Sequence, residues 1–524
     1  MINKMLLEKH EYFEVFANKK ILMPINVSDV SGYSQLIKVV LSLILECKGQ
    51  IDFILYDCSF NTKSKKIELE INARKVLNKI LADFNTSSEI INLKNTLPSY
   101  WGLFHFNHDK NITILRANSE ILRSIHSLWF SKNWNTLNFS VKGFREKMTL
   151  NMDIKGYLAG KKIISQVLER KKYEFVLIPN GKYPVQVGMK QQSELANCKV
   201  FFYEHDNQKV FLQKFQTQDF DSLSRSLNSW IDSTTESERK SWIEWSSKWL
   251  INQENNESQN IFLGNQRTVM PDWKLLANVE SRIDSNLVTI FNNSLDEKYS
   301  NLPREMNGWN SQVEAILAAV KRIRELGLTP HIRLHPNTQW KSVRELMEIV
   351  VPVSRAKISF QFPWEGPSTY WLIKNSKFIV TWGSTVALES LAKGIPSVNL
   401  GPSRYQHMNV IHVLNQMDLK CFEIGDLKVP NIERTLLAIY ALKNYGIQNL
   451  PKNYSNQLGL KEISKPGFFQ KILSTYNMLF LFLINPLKAN SRNLHRIIIF
   501  LVGKERSRQV MIFTLKFLDN FNCK

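Results

Sequence analysis

Residues 374–405 read KNSKFIVTWGSTVALESLAKGIPSVNLGPSRY, and this run decides the fold, because strand, tight turn, helix, turn and strand follow one another in it without a break. Phe378 to Thr381 is an apolar, β-branched run of the buried-strand kind, and Gly383, Ser384 and Thr385 supply a flexible turn with two hydroxyls suited to capping a helix. The helix that follows carries Val386, Ala387, Leu388, Leu391 and Ala392. It stops at Gly394, with Pro396 barring continuation before a strand at 397–400. Unpaired backbone N–H groups, two hydroxyls and the positive end of a helix dipole then face whatever lies above the sheet, which suits an anion.

Working outward, the preceding residues repeat the same alternation. NLVTIF at 286–291 reads as a strand, 292–310 as a polar loop, and 311–326 as an amphipathic helix closed by Gly327. After a turn at Thr329 and Pro330 comes a short strand, 331–334, ending in His335, Pro336 and Asn337. A helix at 343–350, a strand at 358–362 and a helix at 368–375 lead into the opening stretch. The first part of the chain shows the pattern too: strands at 20–25, 51–56, 174–180 and 199–203, with helices at 35–47 and 183–195. Residues 220–285, with Trp242, Trp245 and Trp249 and the polar run NQENNESQN, read as a helical linker followed by a loop.

The fold class expected is therefore α/β, two doubly wound parallel sheets of Rossmann type facing a cleft. The boundaries expected are 1–219 for an N-terminal Rossmann-like domain, 220–285 for the linker, 286–460 for a second Rossmann-like domain and 461–524 for a basic helical tail. At 524 residues the chain exceeds what one core usually organises.

The net charge is +21, which admits nucleic acid, an anionic membrane surface or an anionic substrate as partner. The basic residues are scattered, and zinc-finger, basic-zipper and RNA-binding signatures are missing, so nucleic acid is not expected. Five widely spaced cysteines suggest neither a disulfide framework nor a metal knuckle. The N-terminal MINKMLLEKHEYFEVF, broken by Lys4, Glu8, Lys9 and Glu11, lacks a secretory core, so the protein is expected in the cytoplasm. In the tail, apolar runs at 478–484 and 497–502 are ringed by Lys488, Arg492, Arg496, Lys504, Arg506 and Arg508. Both runs are short for a bilayer span. Peripheral attachment to the cytoplasmic face of the membrane and packing of these helices back onto the domains are both open.

Several residues can carry chemistry. His335, held extended by Pro336 at a strand's end, can hydrogen-bond a phosphate or stabilise a leaving group. Arg333 adds charge beside it or pairs internally. Glu389 lies one helical turn beyond Thr385, where a carboxylate reaches ribose hydroxyls or simply complements the helix dipole. Asp296 and Glu297 in one loop, and Glu204 and Asp206 after a strand of the first half, are candidate bases for removing a hydroxyl proton. Trp364 and Tyr370 suit stacking on a base or sugar, or core packing. No Walker loop, GxSxG elbow or HExxH pair occurs, and neither a metal nor another cofactor is expected.

VTIFNNSLDE at 288–297, IRLHPN at 332–337 and IVTWGSTVALESLAKGIPSVNLG at 379–401, with LIPNGKYP at 177–184 in the first half, resemble the capsule-polysaccharide and surface-carbohydrate biosynthesis proteins. These are GT-B-type glycosyltransferases that use nucleotide sugars. The resemblance covers about 173–405 and does not reach the tail. It implies that His335 and the turn of Gly383, Ser384 and Thr385 hold the donor's phosphates and that Glu389 holds its ribose. Where relatives commonly carry Asn-Gly-Arg, this chain has Asn180-Gly181-Lys182, which lacks the planar, bidentate guanidinium. The function implied is sugar transfer from a nucleotide sugar to a cell-surface polysaccharide or lipid-linked glycan. A nucleotide-sugar epimerase of similar fold and a non-catalytic carbohydrate-assembly scaffold at the membrane are the alternatives.

Overall fold

The computed structural model describes residues 15–26, 48–56, 63–84, 88–91, 144–179, 183–206, 209–213, 220–254, 286–293, 307–340, 343–363, 368–445, 447–449 and 504–522, with the single positions 37, 40, 41, 44, 45, 365, 494 and 498. The chain forms two compact units, the first made of Met1–Leu128, Phe139–Asp219 and Gly446–Glu462 and the second of Trp129–Asn138, Phe220–Tyr445 and Ile463–Lys524.

The first unit contains β1 (Lys20–Asn26), β2 (Gln50–Tyr56), α1 (Lys63–Phe84), β3 (Ile90–Ile91), α2 (Phe144–Leu168), β4 (Phe175–Pro179), α3 (Pro184–Leu195), β5 (Lys199–Asp206) and β6 (Lys209–Gln213). Its strands lie in the order β6-β5-β4-β1-β2-β3, all parallel except the hairpin strand β6. Side chains alternate across this sheet, and each set finds a cover. Ile21, Met23, Phe53, Leu55, Phe175, Leu177 and Phe201 pack with Leu41, Ile44, Leu77 and Ile80. Leu22, Ile54, Val176, Ile178 and Phe202 pack on the other face with Ile163, Ile164, Val185 and Met189. A sheet covered on both faces reads as continuous apolar runs, and FVLIP and FILY show it.

Two glycines set the contact between α2 and α3. A Cβ on Gly160 would lie 2.0 Å from the Val185 carbonyl oxygen, and one on Gly188 would lie 2.0 Å from that of Tyr157, so the helices approach backbone to backbone. The Tyr157 hydroxyl donates to Gln191 Oε1 at 2.8 Å across the same crossing.

The second unit begins with α4 (Phe220–Asp232) and α5 (Glu236–Glu254). The sheet and its helices follow: β7 (Leu287–Phe291), α6 (Gln312–Glu325), β8 (Thr329–Arg333), α7 (Val343–Arg355), β9 (Ser359–Gln361), α8 (Thr369–Lys374), β10 (Phe378–Thr381), α9 (Val386–Ala392), β11 (Ser397–Asn399) and β12 (His412–Val413). Helices α10 (Gln416–Cys421), α11 (Ile432–Asn444) and α12 (Lys504–Asn522) complete it. The sheet is parallel throughout in the order β12-β11-β10-β7-β8-β9. Read from β9 this is 3-2-1-4-5-6, the doubly wound order in which the winding reverses between the first and fourth strands.

Two expectations change here. Residues 220–254 do not form a separate linker: Trp242 stacks on Tyr440 of α11 with ring centroids 4.4 Å apart, and Ser246 Oγ donates to the Leu436 carbonyl at 2.7 Å. Aromatic and apolar residues on one side of α5 bind it to the unit it precedes. The domain expected at 286–460 also does not run unbroken to residue 460. After α11 the chain returns to the first unit as β13 (Ile447–Asn449), antiparallel to β6, and α12 then lies on the second unit.

Of the two readings of the tail, packing back holds for α12, whose Met511 and Leu515 are fully buried against the second unit's core. The run at 478–484 lies outside the described residues, as does 497–502 apart from the buried Ile498. Among the described residues no helix is long and apolar enough to cross a membrane.

Candidate functional site

In an open parallel sheet the ligand crevice lies beyond the carboxyl ends of the strands, at the point where the winding reverses. In the second unit that point is between β7 and β10, and β7 anchors what stands on either side. Asn292, directly after β7, accepts the His335 backbone N–H on Oδ1 at 2.6 Å and donates through Nδ2 to the Asn293 carbonyl at 3.0 Å. Gln312, the first residue of α6, clamps Asn293 at two points, accepting its N–H at 2.7 Å and donating to its carbonyl at 3.1 Å. On the other side the Trp382 N–H reaches the Phe291 carbonyl at 3.1 Å and fixes the start of the 383–385 turn. Adjacent strands stand about 4.8 Å apart, so His335 after β8 and this turn after β10 are roughly 10 Å apart across β7.

His335 is half-buried, and its Nδ1 accepts the Asn337 N–H at 3.1 Å. An accepting Nδ1 carries no proton, which places the proton of the neutral ring on Nε2 and makes that nitrogen a donor.

The 383–385 turn is more tightly braced than its sequence suggests. Gly383 has φ +66°, a conformation open to glycine at little cost, and its N–H is bound to Asn399 Oδ1 at 2.6 Å. Asn399, fully buried at the end of β11, also accepts the Thr381 hydroxyl at 3.1 Å and donates to the Ser403 hydroxyl at 3.3 Å. Buried Tyr405 donates its hydroxyl to the Ser384 carbonyl at 2.6 Å. Ser384 Oγ, itself nearly buried, receives the Val386 N–H at 3.4 Å, whereas Thr385 is exposed. The expected pair of outward hydroxyls and free amides is thus reduced. Gly383 N–H serves the fold, the exposed Thr385 hydroxyl hydrogen-bonds Glu389, and α9 has only seven residues and a correspondingly small dipole.

Glu389 on α9 is partly buried and receives the Tyr370 hydroxyl on Oε2 at 2.6 Å. Burial pushes its carboxyl above the usual carboxylate range, against the opposing pull of the Tyr370 hydroxyl, Lys443, Lys393 and the Thr385 hydroxyl. Tyr370 thus holds Glu389, and its ring carries Lys393 Nζ at 5.3 Å from the centroid. Lys393 also pairs with Glu254 at the end of α5, at 2.6 Å.

Arg333 is 8 % exposed, and its guanidinium donates to the carbonyls of Phe362 at 2.8 Å, Glu365 at 2.7 Å and Pro363 at 3.4 Å. Desolvation lowers its pKa to about 10, with Glu365 opposing, and it remains cationic at neutral pH. Its charge braces the segment after β9, the internal role left open by the sequence. Glu204 and Asp206 do not follow a strand: β5 continues through Asp206, and Glu204 pairs with Phe211 of the antiparallel strand β6. Asp296, Glu297, Trp364 and the 180–182 segment lie outside the described residues. Among the described residues no group of three or more His, Cys, Asp or Glu is gathered as a metal site needs. Asn292, Asn399 and Tyr405 escaped the sequence reading. The one available signal was a polar Asn inside each of two buried strand ends, FNN and SVNL.

The solved structures to which the chain is similar include KpsC, a β-Kdo 2,7 transferase of Thermosulfurimonas dismutans, at 10% identity over 53% of this chain and 80% of that one, with a TM-score of 0.33. They also include a UDP-GlcNAc 2-epimerase of Methanocaldococcus jannaschii in complex with UDP-GlcNAc and UDP (13% identity, 81% and 99% covered, TM-score 0.25). A glycosyltransferase of Rickettsia africae ESF-5 is a third (11% identity, 84% and 97% covered, TM-score 0.26). No protein-family model matches the chain, and no curated protein does.

Proposed function

We propose that the chain is a glycosyltransferase that moves a sugar from a nucleotide-sugar donor to a cell-surface polysaccharide or lipid-linked glycan, with the donor bound by the second unit. What supports this most is the strand order of that unit. It brings His335 and the 383–385 turn, far apart in sequence, to one sheet edge on either side of β7.

In this reading His335 Nε2–H and the 383–385 turn meet the donor's phosphates, with the Thr385 hydroxyl turning from Glu389 to the ligand. Glu389 takes a ribose hydroxyl, since Tyr370 and Thr385 fill only two of the carboxylate's roughly four acceptor positions. The acceptor oxygen bonds to the anomeric carbon as the bond from that carbon to the phosphate oxygen breaks. The electron pair leaves with the phosphate, and the acceptor's proton passes to a carboxylate, for which Asp296 and Glu297 are the candidates. Donors fixed before the reaction stabilise the departing charge in place of a metal. The enzyme works in the cytoplasm, at the anionic inner face of the membrane where a lipid-linked acceptor is presented.

Thermal-shift measurements with CMP, CDP, UDP and GDP test the donor site. At least one nucleotide is expected to raise Tm. His335→Ala should weaken that nucleotide by about tenfold, roughly 1.4 kcal/mol, while leaving the unliganded Tm near that of the wild type. Stabilisation by none of the four would favour the scaffold. Conversion of a nucleotide sugar in the absence of acceptor would favour the epimerase.

A further inference from the structure

We propose that His407 is a positioning residue of the donor site: it hangs the connection between β11 and β12 on α4, and that connection carries the side chains that shape the 383–385 turn. This rests on the reading of the turn put forward above and names the element that holds it in place. From Leu400 to Ile411 the chain forms neither helix nor strand, so side-chain contacts rather than a backbone ladder set its path. Its inner contacts are with the turn. Ser403, fully buried, accepts from Asn399, the residue that holds the Gly383 N–H, and Tyr405 donates to the Ser384 carbonyl at 2.6 Å.

Two residues further on the outer contacts begin, on α4 and α11. The His407 N–H donates to Ser224 Oγ at 2.8 Å, and its ring donates through Nε2 to Asp221 Oδ1. Arg225, one turn along α4, binds Asp221 Oδ2 at 3.0 Å and leaves the other oxygen to the loop. Arg434 of α11 donates to the Met408 carbonyl at 2.9 Å and to Asn228 and Asp232 of α4 at 2.8 and 2.9 Å. On α4 the residues that meet the loop or its arginine, Asp221, Ser224, Asn228 and Asp232, recur every three or four positions and so line one face. Ser224 is fully buried, like Leu223, Leu227 and Ile231 of the same helix. A serine gains nothing from burial unless its hydroxyl is bonded, and here the loop's amide bonds it.

Magnitudes separate this role from plain support of the fold. The His407 side chain is 31% and that of Asp221 54% exposed, and ion pairs so exposed add little to the free energy of unfolding. What the pair can govern is which conformation of the loop is populated, and a ligand that needs one conformation loses affinity as its population falls.

Hydrogen exchange read by mass spectrometry, together with thermal shift, tests this on the full chain. In His407→Ala and in Asp221→Ala, peptides covering 383–388 and 402–408 should exchange about tenfold faster than in the wild type, while those of α6 keep their rate. The Tm of His407→Ala should stay within about 3 °C of the wild type. The double variant should be no faster than either single one, since each removes the same contact. His407→Gln, which can still donate to Asp221, should restore the wild-type rate, and Lys248→Ala, which breaks an exposed ion pair with Glu244 on α5, should leave it unchanged. The nucleotide that stabilises the wild type should bind His407→Ala about fivefold or more weakly. Unchanged exchange at 383–388 overturns the proposal. So does faster exchange throughout the second unit with a large fall in Tm, because the contact would then only support the core, and so does undiminished nucleotide binding by a variant whose turn has loosened. The two readings fail separately: a loosened turn in a protein that no nucleotide stabilises removes the transferase and keeps the hold of His407 on the turn, whereas nucleotide binding over an undisturbed turn removes that hold alone.

Discussion

A carboxyl group whose pKa is raised by burial holds its proton more tightly in the folded chain than in the unfolded one, and Glu389 is such a group. Its contribution to stability is therefore fully present below the ordinary carboxylate pKa of about 4.3 and is lost as pH rises from there through the raised value. Above that window the ionised carboxylate is a constant cost. Glu389→Gln keeps an acceptor for Tyr370 and removes the titration, so the Tm of the variant minus that of the wild type should climb across the window and then level. A flat difference between pH 4 and 8 would show that the carboxyl is not perturbed. Arg333 offers a second residue-level test, because a guanidinium serving only an anion site can be lost without harm to the fold. Its three carbonyl partners say otherwise: Arg333→Met should cost about 3 kcal/mol or more in urea unfolding, most of it from stranding buried carbonyls. A loss within about 0.5 kcal/mol would return Arg333 to the ligand.

At the scale of elements, periodicity made most of the fold legible before any coordinates. Residues 378–381 and 386–392 form the strand and helix expected of them, and the strands at 20–25, 51–56 and 286–291 are found within a residue at each end. Departures have local causes. The helix read as ending at Val350 continues to Arg355 through Pro352, because Val351 and Val353 on either side are buried in the core and hold the last turn against the proline's cost. Pro330, read as a turn residue, lies in β8 opposite Val288, in the second position of the strand. The strand order and the antiparallel β6–β13 edge are set by pairings distant in sequence, so no local pattern carries them. The same holds for the site: His335 and the 383–385 turn were legible from Pro336 and from the glycine and hydroxyls, while Asn399 and Tyr405 act from beyond the helix they brace. The glycine crossing of α2 and α3 belongs to this scale. A methyl group at Gly188 would fall on the Tyr157 carbonyl, and backbone cannot yield as a flexible side chain can. Gly188→Ala is expected to destabilise by about 3 kcal/mol or more despite alanine's better helix propensity, measured by urea unfolding followed by circular dichroism. A stabilised variant would mean that the helices are farther apart than described.

At the scale of the molecule, each unit has apolar clusters of its own, and the chain visits the second unit, returns to the first at β13 and ends on the second with α12. Separate cores allow separate cooperative transitions, so substitutions in the two units should act on different parts of a calorimetric trace. Leu515 is fully buried where α12 lies against α7, although its position in the sequence is remote from the sheet it stabilises. Leu515→Ala should cost about 2–5 kcal/mol and lower only the component belonging to the second unit, the one that nucleotide is proposed to raise. Gly188→Ala should lower the other component and leave that of the second unit in place. If both substitutions move a single transition together, the two cores unfold as one, and the last helix stabilises the whole chain rather than the second unit alone.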